Sequence, residues 1–343
     1  MRLSETQRRS FFGLRSFHYG ARNLHEIVMS SGLDQPLQIY PIFRERVWGR
    51  ESLAPFFSEN PGNKRIGEVW FTFEENLTSS GKTLGEVLRS DPGILGEAAD
   101  RRHPGICPLL LKLIFTSERL SVQVHPGDEY AERHHDSLGK TEAWYVLDSQ
   151  PPGEVAVGFK EELTRERLKR AVQSAEIERL LDWRKVHTGE TIFVPAGTVH
   201  AIGAGLTICE VQENSDITFR LYDYGRPREL HLEDGLQVAS LGLHKSVGPP
   251  VPLTNWRDHL VECKYFRMER LRLKAQMRIG DALPFYLLLL CTQGGGTIGG
   301  EPFRPGQIWL LPAHHAEVEV NGPGSEWILT YTADEPVSGL HAG

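Results

Sequence analysis

The spacing Gly189-x5-Pro195-x-Gly197-x2-His200 constrains this chain more than any other stretch. A glycine opens a turn, Ile192, Phe193 and Val194 make a short apolar strand, Pro195 stiffens the corner, and His200 follows at a fixed distance. Upstream, Leu120-Ser-Val-Gln-Val-His-Pro126 alternates as a strand does, with residues i and i+2 on one face. Gln123 and His125 therefore point one way and Val122 and Val124 the other, which makes half of a metal site. Glu142 opens a further strand-like run, Glu142 to Leu147, where an inward carboxylate is costly unless it meets a cation or a donor. Two imidazoles, a carboxylate and an amide oxygen suit Zn²⁺, with Mn²⁺, Fe²⁺ or Co²⁺ as competitors.

Taken singly, a strand Gln or Glu is usually solvated, and a lone His is more often hydrogen-bonded than a ligand. The order of the four is what makes a site. The glycine, proline, glycine, histidine spacing is that of the second cupin motif, and it predicts a mainly β chain of two cupin-like (jelly-roll) β-barrels. Pro305-Gly-Gln-Ile-Trp-Leu-Leu-Pro-Ala313 echoes Thr188-Gly-Glu-Thr-Ile-Phe-Val-Pro-Ala196, an internal repeat. No Gln-Val-His precedes the second copy, so His314 and His315 cannot complete a ligand set and the second lobe is read as metal-free.

The remaining text supplies boundaries. Residues 1–36 are arginine-rich and read as a leader outside the fold, a mobile extension or the result of a start assigned before Met29 rather than a transit-like segment, since no apolar signal core accompanies the arginines. The catalytic domain is expected over 37–245 and the second over 253–343, joined by the linker Val247-Gly-Pro-Pro-Val-Pro252. Thr83 precedes a short amphipathic helix with Glu86 in its first turn. Leu109 to Phe115 is an apolar run with one lysine and reads as a buried strand. Asp128 to His135 forms a loop or helical excursion with His134 and His135 exposed, and 161–182 forms two helices inserted between strands. A further helix is expected over Arg228 to Leu241. Around the turn Asn214-Ser-Asp216 the flanking strands read as a hairpin that sets Glu210 opposite Arg220. That pair is either ordinary sheet stabilisation or, beside a metal, a positioned acid and base.

A net charge of −7 and a pI near 6.1 speak against a nucleic-acid binder. No apolar run reaches the length of about 18 residues that a membrane span needs. Cys107, Cys209, Cys263 and Cys291 are far apart with no C-x-x-C pair, as expected of free thiols in the cytoplasm.

With Ser121-Val-Gln-Val-His125, Lys140-Thr-Glu142, Gly197-Thr-Val-His200 and Glu210 to Arg220, the chain resembles the type I mannose-6-phosphate isomerases, most closely their short bacterial branch. Pro41-Ile-Phe-Arg-Glu-Arg-Val-Trp-Gly49, Ile66-Gly-Glu-Val-Trp70 and Tyr222-Asp-Tyr-Gly-Arg226 extend the likeness, while Phe71-Thr-Phe-Glu-Glu-Asn76 departs from it. The resemblance implies one Zn²⁺ on Gln123, His125, Glu142 and His200, with Ser121, Lys140, Glu210 and Arg220 lining a sugar-phosphate site. Aldose–ketose isomerisation through an enediol needs an acid, a base and a stabiliser of negative oxygen, and these residue types provide them. A redox cupin enzyme and a non-catalytic sugar-binding cupin are the alternatives, and a monomer and a homodimer are equally open.

Overall fold

Period-two alternation of apolar residues makes strands the main regular structure of this chain. The computed structural model describes residues 34–58, 62, 64–97, 99, 104–281, 283–333 and 335–343, so the leader read in the sequence falls, up to residue 33, outside the described residues. In chain order the strands are β1 (Leu37–Ile39), β2 (Ile42–Arg50), β3 (Ile66–Trp70), β4 (Leu109–Phe115), β5 (Val122–Val124), β6 (Glu142–Ser149), β7 (Glu154–Phe159), β8 (Leu181–Lys185), β9 (Thr191–Val194), β10 (His200–Ile202), β11 (Leu206–Glu213) and β12 (Phe219–Tyr222). The second half adds β13 (Val251–Pro252), β14 (Arg257–Glu262), β15 (Arg267–Arg272), β16 (Gln276–Ile279), β17 (Leu287–Gln293), β18 (Gly296–Ile298), β19 (Glu301–Phe303), β20 (Ile308–Leu311), β21 (Val318–Asn321), β22 (Glu326–Tyr331) and β23 (Leu340–Ala342). Among the described residues the helices are α1 (Leu84–Ser90), α2 (Asp128–His135), α3 (Arg165–Gln173), α4 (Ile177–Leu180) and α5 (Leu232–Val238). Thr83 caps α1 in a capping box with Glu86, as its sequence foretells.

Each half holds two antiparallel sheets. The first half has β2-β3-β4-β11-β6-β9 and β12-β5-β10-β7-β8. The second has β13-β14-β15-β22-β17-β20, extended by β1, and β23-β16-β21-β18-β19. The orders correspond strand for strand, and β9 and β20 hold the same place, each preceded by a glycine at left-handed φ, Gly189 at 91° and Gly306 at 84°. The repeated text is therefore a repeated structure. Among the described strands no pairing joins the two sheets of a half, so neither half closes into a barrel by hydrogen bonds.

The layers follow from which face each residue takes. β4 is buried at every position because its two faces serve different cores. Leu109, Leu111, Leu113 and Phe115 share a core with Met268, Leu288, Leu310 and Ile328 of the second half. Ile114, by contrast, packs inside the first half with Trp144, Val157, Ile192 and Ile202. Helices α3 and α5 cover the outer face of the five-stranded sheet through Leu168, Val172 and Leu236.

The predicted Glu210–Arg220 hairpin is not formed. β11 lies in the six-stranded sheet and β12 in the five-stranded one, where Arg220 pairs with Gln123, while Glu210 lies between Lys112 and Trp144. The turn is pinned by its own polar residues: Asn214 Nδ2 donates to Cys107 O at 2.7 Å and Ser215 Oγ to Leu138 O at 2.9 Å. These anchors carry the chain across the sandwich instead of folding it back.

A polar seam accompanies the shared core. Asp128 accepts from Tyr265 Oη at 2.7 Å and Lys264 Nζ at 3.1 Å, and Glu213 accepts from Thr141 N at 2.8 Å. Burial, opposed by the Thr141 N–H and reinforced by Asp128, pushes the Glu213 carboxyl up to about 8. A carboxyl raised on folding stabilises below its unfolded value and loses that contribution as pH climbs through the folded one. Thermal stability is therefore expected to fall from about pH 5 to about pH 8, and Glu213→Gln, which mimics the protonated form, should flatten that slope. Melting curves across this range are the check, and parallel slopes for the two proteins would rule the carboxyl out.

Candidate metal centre and its cavity

Gln123 and His200 are direct cross-strand partners on β5 and β10, and His125 follows β5 by one residue. Glu142 comes from the opposite sheet, at the start of β6. Gly197 ties two ligand segments together, since its N–H donates to His125 O at 2.8 Å. Its φ of 84° and the crowding that a Cβ would meet against Ser240 Oγ explain why glycine stands there.

His125 Nε2 lies 3.5 Å from Glu142 Oε2, and His200 Nε2 lies 3.3 Å from Glu142 Oε1 and 3.2 Å from Gln123 Nε2. Donors around a tetrahedral ion with bonds of about 2.0–2.2 Å stand roughly 3.3–3.6 Å apart, close to these three separations, and ligand atoms of His125, Glu142 and His200 all lie within 4.8 Å of one another. Turning the Gln123 amide by half a rotation exchanges two nearly isosteric atoms and presents its oxygen. Both imidazoles are oriented from behind, His125 Nδ1 on Ile217 O and His200 Nδ1 on Thr198 O, each at 2.9 Å. That leaves the Nε2 lone pairs facing the site, as metal-binding histidines require. Burial holds both rings neutral, His200 down at about 3 and His125 well below its ordinary value. Burial, with Glu210 adding, pushes the Glu142 carboxyl up. His125 Nε2 and both Glu142 oxygens are buried without a hydrogen-bond partner. A cation is the group that satisfies all three at once.

These donors adjoin a cavity of about 500 Å³, lined among others by Ser121, Gln123, Lys140, Glu210 and Arg220. Lys140 Nζ stands 3.6 Å from Glu142 Oε2, and Ser121 Oγ donates to Gln123 Oε1 at 3.3 Å. Glu210 and Arg220, though not hairpin partners, thus meet at the same cavity from different sheets. His134 and His135 are exposed on α2, away from the ligand cluster.

Sequence reasoning passed over Arg46, Glu68, Lys112, Asp216 and Arg228, which also line the cavity. Lys112 had a signal: a single lysine inside a buried apolar strand must find an anion. It finds Glu210 at 3.3 Å and donates to Gln212 Oε1 at 2.7 Å. Arg228 gave none, since its fork onto Asp223, at 2.6 and 2.7 Å, depends on how the chain turns after β12.

A family model described as the catalytic domain of type I phosphomannose isomerase matches residues 37–162. Mannose-6-phosphate isomerase ManA of Bacillus subtilis is 36% identical over 316 residues, covering 84% of this chain and 96% of that protein. The mannose-6-phosphate isomerase of Streptococcus mutans is 30% identical over 297 residues, covering 81% and 92%. A crystal structure of the mannose 6-phosphate isomerase from Bacillus subtilis matches with a TM-score of 0.78 at 27% identity, over 86% of this chain and 99% of that one. Likeness over nearly the whole of these proteins, together with a buried His, Glu, His cluster beside a charged cavity, places the chain in the type I phosphomannose isomerase family of enzymes.

Proposed function

We propose that this enzyme interconverts mannose 6-phosphate and fructose 6-phosphate, using one Zn²⁺ per chain held by Gln123, His125, Glu142 and His200. The observation that carries this reading is the set of buried donors without a hydrogen-bond partner, His125 Nε2 and both Glu142 oxygens, beside a cavity rich in cations and carboxylates. Its volume of about 500 Å³ suits a small, highly polar ligand.

The reaction moves a proton from carbon 2 of the aldose to carbon 1 of the ketose through an enediol, while the two substrate oxygens exchange a proton. In this reading the Glu210 carboxylate takes the carbon-bound proton and returns it. Arg220 and Lys140 face the negative charge on the reacting oxygens and the phosphate, and Ser121 donates its hydroxyl to the substrate. When bound, the metal polarises the carbonyl and hydroxyl oxygens.

Each half is, in the same reading, a jelly-roll lobe of the cupin type: 37–245 catalytic, with the helices of 161–182 inserted between β7 and β8, and 253–343 metal-free. No helix among the described residues is long and apolar enough to cross a membrane, and the four cysteines are unpaired, which supports work on a soluble metabolite in the cytoplasm.

A coupled assay on the purified protein, with elemental analysis, tests the reading. Turnover of mannose 6-phosphate is expected, with one metal ion per chain, loss on chelation and recovery with Zn²⁺. Full activity after the metal has been removed would refute the metal role, and inactivity on mannose 6-phosphate the substrate.

A further inference from the structure

Trp144 is fully buried, yet it makes two contacts that packing alone does not require. Its indole Nε1 donates to Glu210 Oε1 at 3.1 Å, and its ring meets the His200 imidazole edge-on, with centroids 5.4 Å apart and planes at 71°. Trp144 and Glu210 are direct cross-strand partners on β6 and β11. The other Glu210 oxygen lies 3.3 Å from Lys112 Nζ, so the carboxylate is held from two sides.

The second half supplies an internal control. Matching Gly189 to Gly306 and following the pairings through both sheets sets Trp144 against Leu289, Glu210 against Leu329 and Lys112 against Glu269. Leu289 and Leu329 are likewise direct partners and sit in an apolar core. Glu269 is closed off by Arg257, whose Nη2 donates to its Oε1 at 2.8 Å, and by Tyr331 at 2.6 Å. The fold fills this cross-strand position with two leucines where the strand before carries no ligand. An indole N–H and a buried carboxylate are the costlier choice there.

We propose that Trp144 is a positioning residue: its N–H fixes the Glu210 carboxylate in the rotamer that faces the substrate, while its ring supports His200, so that proton carrier and metal keep a set separation. The inference rests on the role given above to Glu210. Two replacements test it in the metal-loaded enzyme: Trp144→Phe, and the isosteric 3-benzothienylalanine, which keeps the shape of tryptophan and lacks the N–H. Both are expected to lower kcat about tenfold to a hundredfold, the loss of one hydrogen bond to a charged group, with KM and metal content unchanged. In a Glu210→Gln background, Trp144→Phe should lower kcat no further. Effects that multiply in the double variant, or a loss that phenylalanine causes and the isostere does not, would assign Trp144 to packing. A crystal structure of the isostere protein reads the same point without turnover: Glu210 displaced supports the role, and Glu210 unmoved overturns it. An enzyme idle on mannose 6-phosphate before any mutation removes the functional reading instead, and the position of Glu210 still decides this one.

Discussion

A Glu142→Gln protein is expected to purify without its metal and to lose turnover by about 10³-fold or more, the scale of several kcal/mol of transition-state stabilisation. Glu142 brings the single negative charge of the ligand set, and it stands between the imidazoles and Lys140 Nζ, 3.6 Å away. Burial favours a neutral Lys140, but Glu142, together with Glu210, Asp216 and Glu68, outweighs it and keeps the ammonium charged. Neutralising Glu142 therefore removes an anionic donor and leaves a cation facing the place where another cation must sit. Elemental analysis and the coupled assay read the result. A thermal shift adds an independent measure, since an ion at about a hundred times its Kd stabilises the wild type by about 2.7 kcal/mol. A Glu142→Gln protein that binds one ion per chain and gains the same stability from it would remove Glu142 from the site.

Arg220→Ala should lower turnover by about 10²-fold or more while the metal stays in place. The other cavity cations are paired: Arg46 with Glu68, Lys112 with Glu210, Lys140 with Glu142, Arg228 with Asp223. Among the described residues lining the cavity Arg220 is the one cation that makes no ion pair, its Nε is buried without a partner, and its Nη1 donates to Glu229 O at 2.7 Å. Burial, with Arg228 adding, pulls its pKa down despite Asp223 and Glu229, which marks a guanidinium with room for a further anion. The substrate brings one. Arg220→Lys should rescue little, because an ammonium cannot fork onto an oxyanion as a guanidinium does. Unaltered turnover with full metal content would make Arg220 a residue of the sheet and nothing more.

The parts of this site that sequence exposes are those set by strand period and loop length. Gln123 and His125 share a face because they lie two apart, and His200 meets Gln123 because the glycine and proline spacing ends its loop there. The repeat in the second half was legible for the same reason, and its glycines and strands coincide. Glu210 and Arg220 show the limit. Asn, Ser and Asp announce a turn, but which sheet the next strand joins depends on where Asn214 and Ser215 find carbonyls, at Cys107 and Leu138. Both partners are far away in sequence, and no local pattern encodes them.

The core that β4 shares with the second half has a consequence for how damage spreads. Leu109, Leu111, Leu113 and Phe115 would face water if the second half were removed, and β1, at the very start of the described chain, would lose its mate β20. A half that carries none of the candidate ligands is thus one the enzyme cannot discard. Inherited changes at Leu288, Leu310 or Ile328 should accordingly register as missing enzyme, with the surviving molecules turning over at the normal rate.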